Sequence, residues 1–257
     1  AEAFVLRLGQ VPSYNLRLQL WAFEHAYQEQ HVMFDTAARE ISEACTALRT
    51  SVRIRRMLAM VLSVGNFLNS GTSRGSADGF AVESLLQLRT IKAPSSGQGH
   101  MTLMDFVVQQ VEKVHPGDIE NIFADGNEAQ VVKAASRHKL ADLLSELAAH
   151  RREAEGLARR VVAPEVDEAL RLRGRLAEVR YVKELGPLQN RLRDAEEQYT
   201  TLCAWFHEGG AKVPRPPDEF FAVWDEFFQA VRTSLEGLTR AKAPPKKLIV
   251  VRRSKSD

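Results

Sequence analysis

Cysteine is nearly absent from this 257-residue chain; Cys45 and Cys203 are the only two, and they stand far apart. So few thiols exclude a disulfide-stapled secreted scaffold and fit a reducing compartment, with both thiols expected to be buried. Long hydrophobic runs are absent as well: nothing approaches the roughly eighteen apolar residues a membrane span needs. The opening AEAFVLRLGQ lacks a basic segment followed by an apolar one, so no signal peptide is expected. Charge of one sign is missing too. Lys and Arg total 35 against 33 for Asp and Glu, a net +2, which excludes the global basic field of a nucleic-acid binder.

The signatures of catalysis are equally scarce. Seven histidines are scattered, and the closest pair, His25 and His31, is spaced wrongly for one helical face. There is no HExxH, no Cys-rich metal spacing, and no Ser or Cys in a nucleophile elbow. No enzyme, metal or cofactor is expected. A hydrophobic content of 44% with 26% charged residues describes a foldable chain, expected to be intracellular and soluble.

Helical periodicity fills this space. Leu16, Leu20, Phe23, Tyr27, Phe34, Ala37, Ile41, Ala44 and Leu48 recur in fours and threes, the seam of a long helix packed on other helices, starting after Val11-Pro12 with Ser13 or Asn15 as cap. A second seam runs Leu185, Leu188, Leu192, Ala195, Tyr199, Leu202, Phe206, with Gly186-Pro187 either opening a helix or kinking a longer one. A further long helix is expected between Asn127 and Val162, and another from Pro164 through Val179. Three helices of thirty or more residues would make an elongated body. Asp218 is expected to cap a last helix whose Phe220, Phe221, Trp224, Phe227, Phe228, Val231 and Leu235 form a wide aromatic face. The fold class is all-α, an elongated bundle with coiled-coil-like helices. LIVV (248–251) is too isolated to pair as a strand. From Arg240 to Asp257 seven Lys and Arg face one Asp, so residues 241–257 read as a flexible basic tail and 1–240 as the folded part.

One segment does more than pack. Residues 54–92 read IRRMLAMVLSVGNFLNSGTSRGSADGFAVESLLQLRTIK. Gly65 in an apolar helix destabilises it by about 1 kcal/mol relative to Ala and points to a backbone or large side chain packed close there. Asn66 and Asn69 share a face, and their amides need partners, from their own fold or from a docked segment. Gly71, Gly75 and Gly79 space a loop that lacks the Gly-Lys-Ser/Thr ending and the preceding strand of a phosphate loop. Gly79-Phe80 is expected to open an apolar helix through Leu88.

These motifs, GNFLNSG, GSADGF, LLQLRTIK and MTLMDFVVQQVEKVHP in that order, resemble the formin homology two domain. VPSYNLRL and ACTALR upstream, and WFHEGG and DEFFAVWDEFFQA downstream, extend the resemblance over residues 3 to about 240. The resemblance implies an all-helical rod of knob, coiled-coil and post. It implies a head-to-tail dimer in which the lasso of one chain wraps the post of another, nucleating actin filaments and processively capping the barbed end. Gly65, Asn66, Phe67, Leu68, Asn69, Gly79 and Phe80 would then form the lasso-docking surface. Lys92 matches the family's actin-facing basic residue, with Arg89 and Arg74 adding to the patch. The family domain is longer, and its lasso, linker and most of its knob are expected to be missing, as is the Pro-rich segment that engages profilin. A cytoplasmic, cytoskeletal protein is implied. The competing reading is a generic helical scaffold or coiled-coil adaptor without actin activity, which the Leu and Ala stripes fit equally well.

Overall fold

The computed structural model describes residues 7, 9–73, 75–92, 101–208 and 213–242. Helix α1, Tyr14–Thr50, is the spine; its 37 residues extend about 55 Å. All nine positions of the expected seam are buried along it, from Leu16 to Leu48. Three helices pack most extensively on α1: the short α6, Glu128–Ala135, and two long ones. Helix α7, Leu140–Val161, runs antiparallel to α1: His138, just before it, meets Glu40, while Arg160 near its end meets Gln19. Helix α9, Lys183–Trp205, runs parallel to α1, in a register fixed by Tyr27–Glu184 and Asp35–Arg191. Its own stripe, Leu185, Leu188, Leu192, Ala195, Tyr199 and Leu202, is buried throughout.

Helix α8, Glu168–Ala177, is capped by Asp167, whose carboxylate accepts from the Leu170 N–H at 3.1 Å. Gly174 is where α8 crosses α7: a Cβ there would overlap the Val161 side chain, so only glycine permits the approach. The chain stays helical from α8 into α9 through a π-turn, Glu178–Val182, and Pro187 lies inside α9. The second of the two readings of Gly186-Pro187 is therefore realised: an irregular longer helix rather than a fresh start.

The other end of the spine is a compact helical block. Helix α2, Val52–Leu68, leaves α1 at Ser51. It is followed by α3 (Ser84–Gln87), α4 (Leu103–Val114), α5 (Asp118–Ile122) and α6 (Glu128–Ala135). Helix α10, Pro217–Lys242, packs on α3, α4, α5 and α6. Phe220, Phe221, Trp224, Phe227 and Phe228 are all buried there, so the aromatic face does close a core. Burying rings of this size is worth roughly 2–3 kcal/mol each. The elbow at Ser51 is locked by Glu128: Arg53 donates to both its oxygens at 3.0 Å and Ser51 Oγ–H donates to Oε1.

Several boundaries differ from the expectation. The helix expected across 127–162 is two, α6 and α7. Ala135 and Leu140 are five apart, which turns the apolar stripe by about 140° at 100° per residue. The chain therefore breaks, with Ser136 Oγ bonded to Lys133 O at 2.9 Å and His138 pinned on Glu40 at 2.6 Å. Among the described residues α1 exceeds thirty residues, and so does the continuous run 168–205 through the π-turn, whereas the 127–162 stretch does not. Pro164 precedes α8 rather than opening it, and Asp218 lies in the first turn of α10, which begins at Pro217. After Phe80 the regular helix is only α3, flanked by turns. Arg74, LIVV and all of the basic tail beyond Lys242 lie outside the described residues.

Candidate functional site

The sequence-predicted residues occupy the end of α2 and the segment leading into and past α3. Asn66 turns out to be a loop clamp. Its Nδ2 donates to Ala77 O at 2.9 Å and its Oδ1 accepts from the Ala77 N–H at 3.0 Å. Of the two sources of partners open to this amide, its own fold supplies them. Asn69 ends the helix: its N–H bonds Gly65 O at 3.0 Å and its carbonyl accepts from Thr72, while the side chain is exposed. A Cβ at Gly75 would strike that carbonyl, so this glycine is what lets the loop close. Gly65, in contrast, has open space where a side chain would project. Among the described residues nothing lies within 4 Å of that position, so the close backbone or side chain expected there is not supplied by them.

Beside this helix end lies an open groove of about 800 Å³. Leu58 and Leu62 of α2 form one wall, Gly79, Phe80 and Val82 a second, and Trp205, Phe206 and His207 a third, over a floor that includes Trp224. Positions 58, 62, 66 and 69 are neighbours on one helical face, so the groove wall runs on toward both asparagines. Trp205 is 46% exposed; the Phe206 ring stands edge-on at 4.6 Å and the Arg55 guanidinium lies 6.0 Å from its centroid. The walls are braced. Arg215 donates to Glu208 and to Glu83, both at 2.6 Å, and Tyr199 OH donates to Arg215 O at 2.6 Å. A braced, open, aromatic-rich groove is suited to taking an apolar side chain of another polypeptide without reorganising. Phe67 and Leu68 do not line it; they project from the helix end, with Phe67 79% exposed.

Trp205, Leu58 and Leu62 were missed as site residues in the sequence. Leucines at helical spacing read as core, and only the paired aromatics Trp205-Phe206 at a helix end carried a signal.

Past α3 the chain presents its cations. Arg89 pairs with Glu226 of α10 at 2.5 Å, on the surface. Lys92 is exposed and makes no ion pair among the described residues. It faces Thr102 across a single antiparallel bridge, secured where the Leu103 N–H donates to Ile91 O at 2.7 Å. Thr102 caps α4 in a reciprocal box with Asp105. Burial pushes the Asp105 carboxyl up, but hydrogen bonds from Ser234 and Thr102 outweigh that and hold it below the usual range. The structure thus brings Asn66, Gly79 and Phe80 together around the groove and puts Arg89 and Lys92 on the segment leaving it.

The family model for the Formin Homology 2 Domain matches residues 1–232. Human disheveled-associated activator of morphogenesis 2 (Homo sapiens) is 30% identical over 251 residues, covering 94% of this chain and 23% of that protein. Formin-like protein 14 of Arabidopsis thaliana is 30% identical over 209 residues, covering 81% of this chain and 16% of that protein. The chain therefore spans less than a quarter of the length of these two relatives.

Proposed function

The chain belongs to the Formin Homology 2 Domain family, and from that premise we propose that it is the actin-binding module of a formin, non-catalytic, working in the cytoplasm on the actin cytoskeleton. Residues 1–240 are the domain portion and 241–257 a basic extension. The observation that carries the reading is the braced groove of about 800 Å³ with Trp205 open in its wall, beside an α2 end where Gly65 faces open space among the described residues. A helical scaffold satisfied by its own packing has no use for either.

Two polypeptides engage this end of the molecule. The groove, with Gly65, Asn66, Phe67, Leu68, Asn69, Gly79 and Phe80 around it, takes the lasso of a second formin chain. Asn66 contributes by holding the loop that forms a wall, since its amide is already bonded. Lys92, with Arg89 and Arg74, faces actin. Actin's surface is acidic, and an exposed, unpaired ammonium next to it supplies both steering and affinity. In the intact dimer the mechanism is geometric. Each half holds an actin subunit in filament-like register, which lowers the entropic cost of assembling a nucleus. One half then releases while the other stays bound, so the dimer follows the growing barbed end. Profilin acts indirectly, through a Pro-rich segment that this sequence does not contain.

The test is barbed-end elongation of actin filaments in the presence of the chain, alongside its Lys92→Asp variant and a solution mass for each. The chain is expected to change the elongation rate with concentration, and the variant to need about tenfold more protein for the same effect. Equal behaviour of the two proteins would remove Lys92 from the interface.

A further inference from the structure

We propose that Ser234 and Asp105 are positioning residues for Lys92: α10 sets the placement of the actin-facing ammonium through a relay of three polar side chains. The inference rests on the reading of Lys92 as an actin contact.

The relay begins with a hydroxyl in an unusual place. On α10 the positions Val231, Leu235 and Leu238 follow the packed face, and Ser234 lies among them, 8% exposed. A hydroxyl buried on such a face is destabilising unless it is bonded. Its bond runs to α4: Ser234 Oγ–H donates to Asp105 Oδ1 at 2.6 Å. The other carboxylate oxygen, Oδ2, accepts from the Thr102 N–H at 2.9 Å and from Thr102 Oγ1–H at 2.7 Å. The Asp105 N–H donates back to Thr102 Oγ1 at 3.2 Å. A capping box needs only the Oδ2 side. The Oδ1 bond adds nothing to the cap and ties it to a different helix.

From Thr102 the relay passes to the cation through backbone. Thr102 is the residue opposite Lys92 in the antiparallel bridge, and the next two amides, Leu103 and Met104, donate to Ile91 O at 2.7 Å and Leu88 O at 2.9 Å. The segment 88–92 thus hangs from the first turn of α4, and that turn is oriented by Ser234. Arg89 is referred to the same helix directly, through Glu226 two turns before Ser234. An ammonium on a flexible stem gains from a fixed root, because less freedom is lost when it binds.

The test uses the full chain as wild type and as Ser234→Ala, Ser234→Thr, Lys92→Ala and the Lys92→Ala/Ser234→Ala double variant. One readout is the concentration giving half-maximal effect on barbed-end elongation. The other is amide hydrogen exchange at Leu103 and Met104 without actin. Ser234→Ala is expected to raise the half-maximal concentration about fivefold and Ser234→Thr to restore it, while adding nothing once Lys92 is gone. Exchange at the two amides should rise in Ser234→Ala by more than the drop of about 2–4 °C in thermal midpoint, the expected effect of losing one buried hydrogen bond, accounts for. Equal shifts in both backgrounds, or unchanged exchange at Leu103 and Met104, would overturn the positioning role. If Lys92→Ala leaves elongation untouched, the actin contact itself fails, and the exchange measurement still decides whether Ser234 orders this segment.

Discussion

Asn66 holds Ala77 from both sides, donating to its carbonyl at 2.9 Å and accepting from its N–H at 3.0 Å. A single side chain thereby fastens the glycine-rich loop to α2 and sets the second wall of the groove. Replacing Asn66 by Ala removes both bonds at a partly exposed site, so the expected loss is about 1 kcal/mol in a urea titration. Trypsin cleavage within residues 70–79 should accelerate, since the loop then lacks its clamp. Asn66→Asp keeps the acceptor and loses the donor, and should fall between the two.

The two tryptophans at the groove are expected to separate binding from stability. Trp224 is fully buried, and Trp224→Ala should lower unfolding free energy by about 3–5 kcal/mol. Trp205 is 46% exposed and makes its contacts at the surface, so Trp205→Ala should leave the denaturation midpoint close to wild type. If the groove takes the lasso of a second chain as proposed, the same change should weaken chain–chain association, read as a rise in the dissociation constant by sedimentation.

Glu128 gives the fold an acid limit. Burial pushes its carboxyl up, but the hydrogen bonds from Arg53 and Ser51 prevail and hold it below the usual range. The unfolded chain therefore binds this proton more readily, and stability rises with pH across the window. The contribution is fully present above about pH 4.3 and is lost as pH falls through the lower, folded value. Glu128→Gln should flatten that acid limb in thermal melts recorded from neutral to acidic pH. Glu128→Ala should cost about 2 kcal/mol at neutral pH, moderated because Arg53 reaches solvent.

His150 acts at milder pH. It is buried in the seam, stacked 4.7 Å from Phe23, with Nε2 unpartnered, and burial lowers its pKa against a smaller opposing pull from Glu153. A depressed histidine stabilises in its neutral form, so its contribution is present above about pH 6.5 and declines below it. Melting temperature should drop between pH 7.5 and 5.5, more steeply in wild type than in His150→Leu.

The seams of α1 and α9 were legible in the sequence because packing on both flanks enforces one period over many turns. Leu16 to Leu48 and Leu185 to Leu202 are buried where the spacing puts them. The aromatic face of α10 was legible for the same reason. What spacing hides is anything decided between distant segments. The break at 136–139 rests on His138 meeting Glu40, and the bend before α9 is a π-turn that places Tyr181 4.2 Å from Tyr27. The groove is lined by both Leu62 and Trp205, and neither residue carries a sign of the other in the sequence. Asn66 is legible as an amide needing partners, but a single sequence does not say that they come from within, at Ala77.

The most direct test of the account is where actin touches this chain. Zero-length carbodiimide cross-linking of the chain to filamentous actin, mapped by mass spectrometry, should join Lys92 to an acidic residue of actin, and the yield should fall as salt is raised. Cross-links confined to other surfaces, with Lys92 unmodified by actin at saturating filament ends, would contradict it.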